Sequence, residues 1–417
     1  MFPFFLQISF FFVSLHSINE QDMTTLKICF WLCVFLVFYT YLGYGLLLYV
    51  ILRIKRLFSG KPAEPQLPAD ESDYPDVTLM ICAYNEQDII HEKMENIRQL
   101  DYPKGKLCVM WVTDGSNDDS NKLLQEYNDI TLVYSPERKG KAAAMQHGLR
   151  ENKAPIVVFT DANTMLNTSS IKEIVRQFVD PSVGCVSGEK RVAARHKNQT
   201  SAEGEGLYWK YESTLKRWDN ELYSAMGAAG ELFAVRMEYY REAPSNALLD
   251  DFMMSMLILS DGHRIAYTSE AYAMEYGSAD LHEESKRKRR IAAGGLQSIW
   301  WLRYLMNPFT HPLVSFQFVS HRVLRWSITP FALMALIPLN IALVLLHAGT
   351  LYTVILCLQA LFYLAAFCSW LLEKQGKSNK LLYVPYYFLF MNANVFRGIS
   401  YLRTHRHSGT WEKAKRG

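Results

Sequence analysis

No CxxC pair occurs among the seven cysteines, and several of them fall inside apolar runs. That spacing excludes a disulfide framework and a cysteine zinc site. Net charge is nearly absent too: +3 over 417 residues leaves no global field to gather nucleic acid, so no nucleic-acid partner is expected. The opening stretch Phe2–Leu15 is apolar but short and has no basic leading segment, which makes it a poor signal peptide. It reads as an over-extended start, with Met23 as the alternative to Met1. Internal repeats, low-complexity tracts and a heptad seam are all missing.

Charge is also missing from three long runs. Ile28–Leu52 holds 25 residues without a charged side chain, bounded by Lys27 and by Arg53, Lys55 and Arg56. Trp326–Leu346 and Leu351–Leu372 are 21 and 22 residues and equally uncharged. Each reaches the roughly 20 apolar residues that cross a bilayer. Cytoplasmic loops carry the excess of Lys and Arg. The basic run after the first span and the three lysines in 373–380 therefore belong inside, and His347–Thr350, with neither residue type, outside. A fourth apolar segment, Leu381–Leu402, carries Asn392, Asn394 and Arg397, which are costly in lipid unless they face protein or a watery path. A full crossing there would also put the basic tail outside, so a re-entrant or channel-lining helix is expected.

Between the first and second spans lies a different composition. Lys61–Asp76 is rich in proline and acid and reads as a linker. Strand and helix patterns then alternate. Strands are expected at Val77–Ala83, Leu107–Thr113, Ile130–Tyr134 and Ile156–Thr160, with helices at Glu86–Leu100, Asp118–Tyr127 and Lys141–Glu151. Such alternation predicts an α/β domain with a mostly parallel sheet covered on both faces. Polar residues collect at the strand ends: Ala83-Tyr84-Asn85-Glu86, then Asp114 to Asp119, then Arg138-Lys139-Gly140-Lys141, then Asp161-Ala162-Asn163. In a parallel sheet all four fall on the carboxyl edge, where open α/β sheets bind ligands. Each alone is an ordinary loop or cap. Together they supply carboxylates for a metal or hydroxyls and lysines for phosphate, the needs of a nucleotide diphosphate.

In order and spacing, AYNE, TDGSNDDS, RKGKAAAMQHGL and FTDAN resemble the inverting nucleotide-sugar glycosyltransferases of the GT-A fold, in their membrane-embedded branch of cellulose, chitin and hyaluronan synthases and bacterial exopolysaccharide enzymes. The resemblance covers about Val77–Trp301. It implies that Ala83, Tyr84 and Glu86 line the nucleoside pocket, that Asp114 accepts a hydrogen bond from a uracil imide, and that Lys141 approaches the uracil or diphosphate. Asp161 becomes the ligand of a divalent ion, Mg²⁺ or Mn²⁺, in the family's DxD motif. Asn163 stands where the second Asp usually lies, so it either ligates with less charge or faces the sugar.

Further on, Glu203–Tyr223 reads as an amphipathic helix with several aromatics. Gly227 to Arg236 (GAAGELFAVR) resembles the family's small-residue loop before a strand, placing Gly230 and Glu231 near an acceptor sugar; a tight turn needing glycine explains it equally. Asp250-Asp251 suits a helix N-terminus. The family's acidic pair at this place makes Asp251 the general base, with Asp250 beside the acceptor. Lys286 to Arg290 is a basic run that reads first as a solvated or membrane-facing surface. By resemblance it occupies the QxxRW position, with Arg287 and Arg290 toward the diphosphate, but Gln and Trp are absent. Trp300 or Trp301 could replace the acceptor contact, although an interfacial aromatic belt also accounts for them. Phe309–Arg325 resembles the family's interfacial helix.

The expected organisation is thus a membrane segment over 1–60 and a linker over 61–76. A GT-A domain follows over 77–307, then an interfacial helix over 308–325. Membrane helices occupy 326–402 and a basic tail 403–417. The expected activity is transfer of a sugar from a UDP-type donor to a growing polysaccharide, by a multi-pass protein of the inner membrane whose catalytic domain is cytoplasmic. Membrane lipid and an export protein are expected partners. Alternatives are single-sugar transfer to a lipid-linked acceptor, or a weakly catalytic subunit of a polysaccharide secretion complex.

Overall fold

The computed structural model describes residues 19–60, 65–193, 200–277, 281–375 and 379–404, with backbone alone at 200–205, 207 and 281. Phe2–Leu15, the start of the linker and nearly all of the basic tail lie outside the described residues. The chain divides into two compact units, Met1–Leu46 with Ser320–Val395, and Leu47–Val319 with Phe396–Gly417.

The second unit is built on one eight-stranded sheet. Its strands are β1 (Val77–Ala83), β2 (Leu107–Asp114), β3 (Thr131–Ser135), β4 (Ile156–Asp161), β5 (Met165–Leu166), β6 (Val183–Ala193), β7 (Leu232–Arg236) and β8 (Arg264–Tyr276). Their order is β3-β2-β1-β4-β7-β6-β8-β5. Its helices are α1 (Ile90–Arg98), α2 (Ser120–Leu124), α3 (Lys141–Glu151), α4 (Ser170–Gln177), α5 (Thr200–Leu222), α6 (Asp250–Ser260) and α7 (Leu281–Trp301). Strands β1 to β4 pair in parallel, as do β6 and β8, whereas β7 runs antiparallel to both its neighbours and β5 antiparallel to β8. The sheet is therefore mixed but mostly parallel.

Burial explains the central strands. Val77, Leu79, Met80 and Ile81 of β1 and Ile156 to Phe159 of β4 are all at most 2% exposed, so both faces of these strands are covered, as in parallel sheets with helices on either side. Each such side chain contributes about 1.5–3 kcal/mol by leaving water. Pairing then sets the site. Cys82 lies opposite Asp161, Ala83 opposite Thr113 and Asp114 opposite Ser135, so the first four strands end level. Because β7 is antiparallel to β4, with Thr160 opposite Leu232, it is the start of β7 that meets this edge. Gly230 and Glu231 are delivered there.

Several elements differ from expectation in extent. Helix α1 begins at Ile90 rather than Glu86, because Asn85 adopts a left-handed φ of 53° and residues 85–87 bond to the loop after β2. Helix α2 is a five-residue piece, and the 309–325 stretch becomes helical only at Pro312 and carries a π turn, Val319–Val323, before Leu324–Trp326. Pro312, lacking an amide hydrogen, suits the first turn where it sits.

In the first unit, Tyr39–Gly43 forms a π turn within the N-terminal helix. Tyr39 Oη lies 2.8 Å from Ser320 Oγ, and Thr40 Oγ1 2.8 Å from Thr329 Oγ1. Among the described residues, three helices are long and apolar enough to cross a membrane: Glu20–Ser59, Ile328–Leu345 and Thr350–Lys374. Lys380–Thr404 is one unbroken helix of 25 residues, without a re-entrant turn. Its Asn392 and Asn394 are buried, and Tyr41 Oη donates to Asn392 Oδ1 at 2.7 Å. These amides face protein, the condition set by their cost in lipid.

Candidate active site

The loop after β1 is laced to the loop after β2. Asn85 Nδ2 donates to Asn117 Oδ1 (2.7 Å), Asn117 N returns a bond to Asn85 Oδ1 (2.9 Å), and Glu86 N donates to Ser120 Oγ (2.9 Å). Buried Asp114 organises the next loop: its two oxygens accept from Lys139 N (2.8 Å) and Gly140 N (2.7 Å). Gly115 is required beside it. It has φ +66°, and a Cβ there would stand 2.5 Å from Arg138 N. The Arg138 guanidinium lies over the Tyr84 ring at 3.9 Å, a cation–π contact closing one side of the edge. Ala83 is buried beneath.

At the end of β4, Lys141 Nζ donates to Asp161 Oδ1 at 2.5 Å. Burial works against the charge of Lys141, but Asp161, Asp250 and Asp251 outweigh it and hold the ammonium above its usual range. Asn163 is half-buried in the turn that follows. Beneath this turn lies Lys93, fully buried on α1, its Nζ donating to the Thr164 carbonyl (2.5 Å). Burial pushes Lys93 down to about 7, and Asp161 pulls the other way.

Asp250 and Asp251 open α6, where unpaired backbone amides favour negative charge. The Asp251 carboxyl is pushed up to about 6, first by burial and then by the charge of Asp250, with Lys141 opposing. Gly230 makes the close approach possible: a Cβ on it would meet Asp251 Oδ2 at 2.8 Å. Asp250 Oδ2 is buried and has no hydrogen-bond partner among the described residues. From α7, Arg290 donates to the Leu248 carbonyl (3.2 Å), and the charges of Asp250 and Asp251 act on it. Gln297 accepts from Leu248 N (3.0 Å) and so holds the approach to the acidic pair.

Glu231 is ion-paired with Lys190 (2.6 Å) and lies 3.7 Å from Arg287. Burial favours its neutral form, but these two cations hold the carboxylate well below its usual range. Lys190 also pairs with Glu275 of β8, and its ammonium faces the Trp209 ring at 5.0 Å. Glu284 meets Lys288 at 3.2 Å and Arg287 at 3.7 Å. The basic run is therefore not a solvated face: Arg287 and Lys288 are 7% and 4% exposed and neutralised internally.

The fold thus gathers Asp114, Lys141, Asp161, Asp250, Asp251, Gly230, Glu231, Arg287 and Arg290 along one sheet edge. Trp300 is not joined to them; it is 67% exposed and carries Arg303 over its ring at 4.9 Å. Sequence reasoning missed Lys93, Lys190, Glu275, Glu284 and Gln297. For Lys93 a signal existed: it occupies the apolar stripe Ile90, Lys93, Met94, Ile97 at helical spacing.

A divalent ion fits the donor set. Asp161 and Asn163 offer hard oxygens. The Lys141 ammonium on Asp161 Oδ1 stands in for a cation. Among the described residues no cluster of three His, Cys, Asp or Glu could hold a metal by itself, so diphosphate oxygens would have to complete the shell.

Sheet order, the crossover strand β7 and the acidic carboxyl edge define a GT-A type α/β domain. The chain belongs to the family described as Glycosyltransferase like family 2, which it matches over residues 75–294. It is 26% identical over 246 residues to a poly-beta-1,6-N-acetyl-D-glucosamine synthase of Staphylococcus aureus, covering 56% of this chain and 57% of that one. A namesake from Staphylococcus epidermidis is 23% identical over 143 residues, 33% of each chain. The chain thus matches 57% of the length of the first of these relatives and 33% of the second. Among solved structures, a mannosyltransferase from Pyrobaculum calidifontis in complex with GDP-Man and Mn²⁺ shares the fold, with TM-score 0.66 and 23% identity over 90% of this chain and 99% of that one.

Proposed function

We propose that the protein is a membrane-bound inverting glycosyltransferase that moves a sugar from a nucleotide-diphosphate donor, UDP-linked, to a growing polysaccharide. Family membership and the polymer-forming relatives support the class. The observation that carries the chemistry is Asp251: a carboxylate pushed up to about 6, at a helix N-terminus, against a glycine that leaves its oxygen open.

In this reading Asp251 takes the proton of an acceptor hydroxyl as that oxygen bonds to C1 of the donor sugar. The bond from C1 to the diphosphate oxygen breaks with inversion, and the nucleotide diphosphate leaves with the electron pair. Lys141 and Arg290 face the charge that develops on it. Asp114 shapes the Arg138–Lys141 loop through its two amide bonds and takes the base of the nucleotide, while Tyr84 and Glu86 border the nucleoside. Asp161 and Asn163 would hold Mg²⁺ or Mn²⁺, which when bound supplies positive charge to the diphosphate. Glu231 and Asp250 face the acceptor. Localisation at the inner membrane, with this domain cytoplasmic, accords with the cytoplasmic supply of nucleotide sugars.

The test uses full-length protein in nanodiscs with a panel of UDP- and GDP-sugars, Mn²⁺, Mg²⁺ or chelator, beside Asp251→Asn. Nucleotide diphosphate release and product length are read. Metal-dependent release lost in the variant, with a polymer ladder, is the expected result. A single added sugar would replace polymer synthesis by transfer to a lipid-linked acceptor. Absence of release from every donor would overturn the transferase reading.

A further inference from the structure

We propose that Lys93 and Asn96 are positioning residues for the donor: from one face of α1 they clamp residues 161–166 and fix the turn that presents Asp161 and Asn163 to a nucleotide diphosphate. The inference rests on the transferase reading above.

The clamp has two jaws. Lys93 Nζ donates to the Thr164 carbonyl (2.5 Å) and lies 3.4 Å from Thr160 Oγ1, gripping the turn on both sides of Asp161-Ala162-Asn163. One helical turn on, Asn96 makes a reciprocal pair with the backbone of Leu166: Nδ2 donates to its carbonyl and Oδ1 accepts from its amide, both at 2.8 Å. Positions 93 and 96 share a face because residues three apart are neighbours on a helix. The gripped turn is tied onward, since Thr160 Oγ1 donates to the Glu231 carbonyl at 2.9 Å. That carbonyl belongs to the loop holding Gly230 against Asp251.

Packing alone does not account for Lys93. Its side chain is 0% exposed, and among the described residues no carboxylate forms an ion pair with it. Burying an ammonium without a carboxylate is costly. A methionine of similar length would fill the same space without that cost. What the lysine does and methionine cannot is bond the Thr164 carbonyl beneath the turn. Asn96, likewise, satisfies two backbone groups of a two-residue strand too short to hold itself.

Wild type, Lys93→Met and Asn96→Asp in nanodiscs are compared by three readouts. Hydrogen–deuterium exchange of amides 161–166 in nucleotide-free protein reports the clamp itself. Titration with UDP and GDP, with Mn²⁺ and with chelator, and steady-state turnover report its consequence. Both variants are expected to exchange this segment about tenfold faster and to raise donor KM about tenfold, with kcat within about threefold of wild type. Lys93→Met should melt at or above the wild-type temperature while its donor KM rises, a split that a merely structural role would not give. Unchanged exchange and KM in both variants would overturn the clamp, as would a fall in melting temperature with KM unchanged. A wild-type protein that neither binds a nucleotide diphosphate nor turns over would instead sink the functional reading, and the inference with it.

Discussion

In the proposed reaction Asp251 serves as the base because it is uncomfortable. Its carboxyl is held near 6 by burial and by Asp250, so near neutral pH it is ionised yet basic enough to accept a proton. Two outcomes follow from the same displacement. The rate at low substrate should fall about tenfold per pH unit below about 6, and Asp251→Asn should lower kcat by about 10²–10⁴. The second outcome concerns stability. An acid whose folded pKa lies above its unfolded value of about 3.9 weakens the fold once it must ionise. The penalty is absent below about pH 4, grows between 4 and 6 and is complete above 6. Asp251→Asn should therefore melt higher than wild type at pH 7.5, by about 1–3 kcal/mol in stability, and equally at pH 4. Melting curves at the two pH values check this, and a variant less stable at pH 7.5 would contradict the electrostatic account.

Buried charge also decides what could be read at the scale of elements. Strands β1, β2 and β4 were legible to within a residue because each is a short apolar run, buried almost throughout in β1 and β4 and over the carboxyl-end half of β2. The polar tips of β1 to β4 then put Asp114, Lys141 and Asp161 on one edge from sequence. Strands β6 and β8 escaped, since each carries charge within its length: Glu189, Lys190 and Arg191 in one, Glu270 and Glu275 in the other. Local reading sends such residues to solvent. Here Lys190 is neutralised by Glu231, just before β7, and by Glu275 on β8, so one ammonium joins three neighbouring elements. Lys190→Met should take the cation from two buried carboxylates and cost about 3–5 kcal/mol. Adding Glu275→Gln should restore at least about 1 kcal/mol of it, because paired residues do not add. Thermal melts of the single and double variants decide. Strict additivity would mean that the three elements are held by packing and not by this ion cluster.

At the scale of the whole molecule, the proposed function requires that the donor edge meet cytoplasmic nucleotide sugar and that the product reach the far side. The pattern of charge makes a specific claim about this. Arg53, Lys55 and Arg56 end the first long helix, and Lys374 ends the helix Thr350–Lys374, whereas His347, Ala348 and Gly349 between two apolar helices include neither Lys nor Arg. Positive residues stay on the cytoplasmic side. The turn at 347–349 should then lie outside. The measurement is labelling by a membrane-impermeant maleimide of Ala348→Cys and, separately, Ser59→Cys, each in a background without the seven native cysteines. Ala348→Cys should react in intact cells, and Ser59→Cys only after permeabilisation. The reverse pattern would place the acidic sheet edge away from nucleotide sugars. A donor-dependent transferase could not then work in that orientation, however well its residues were arranged.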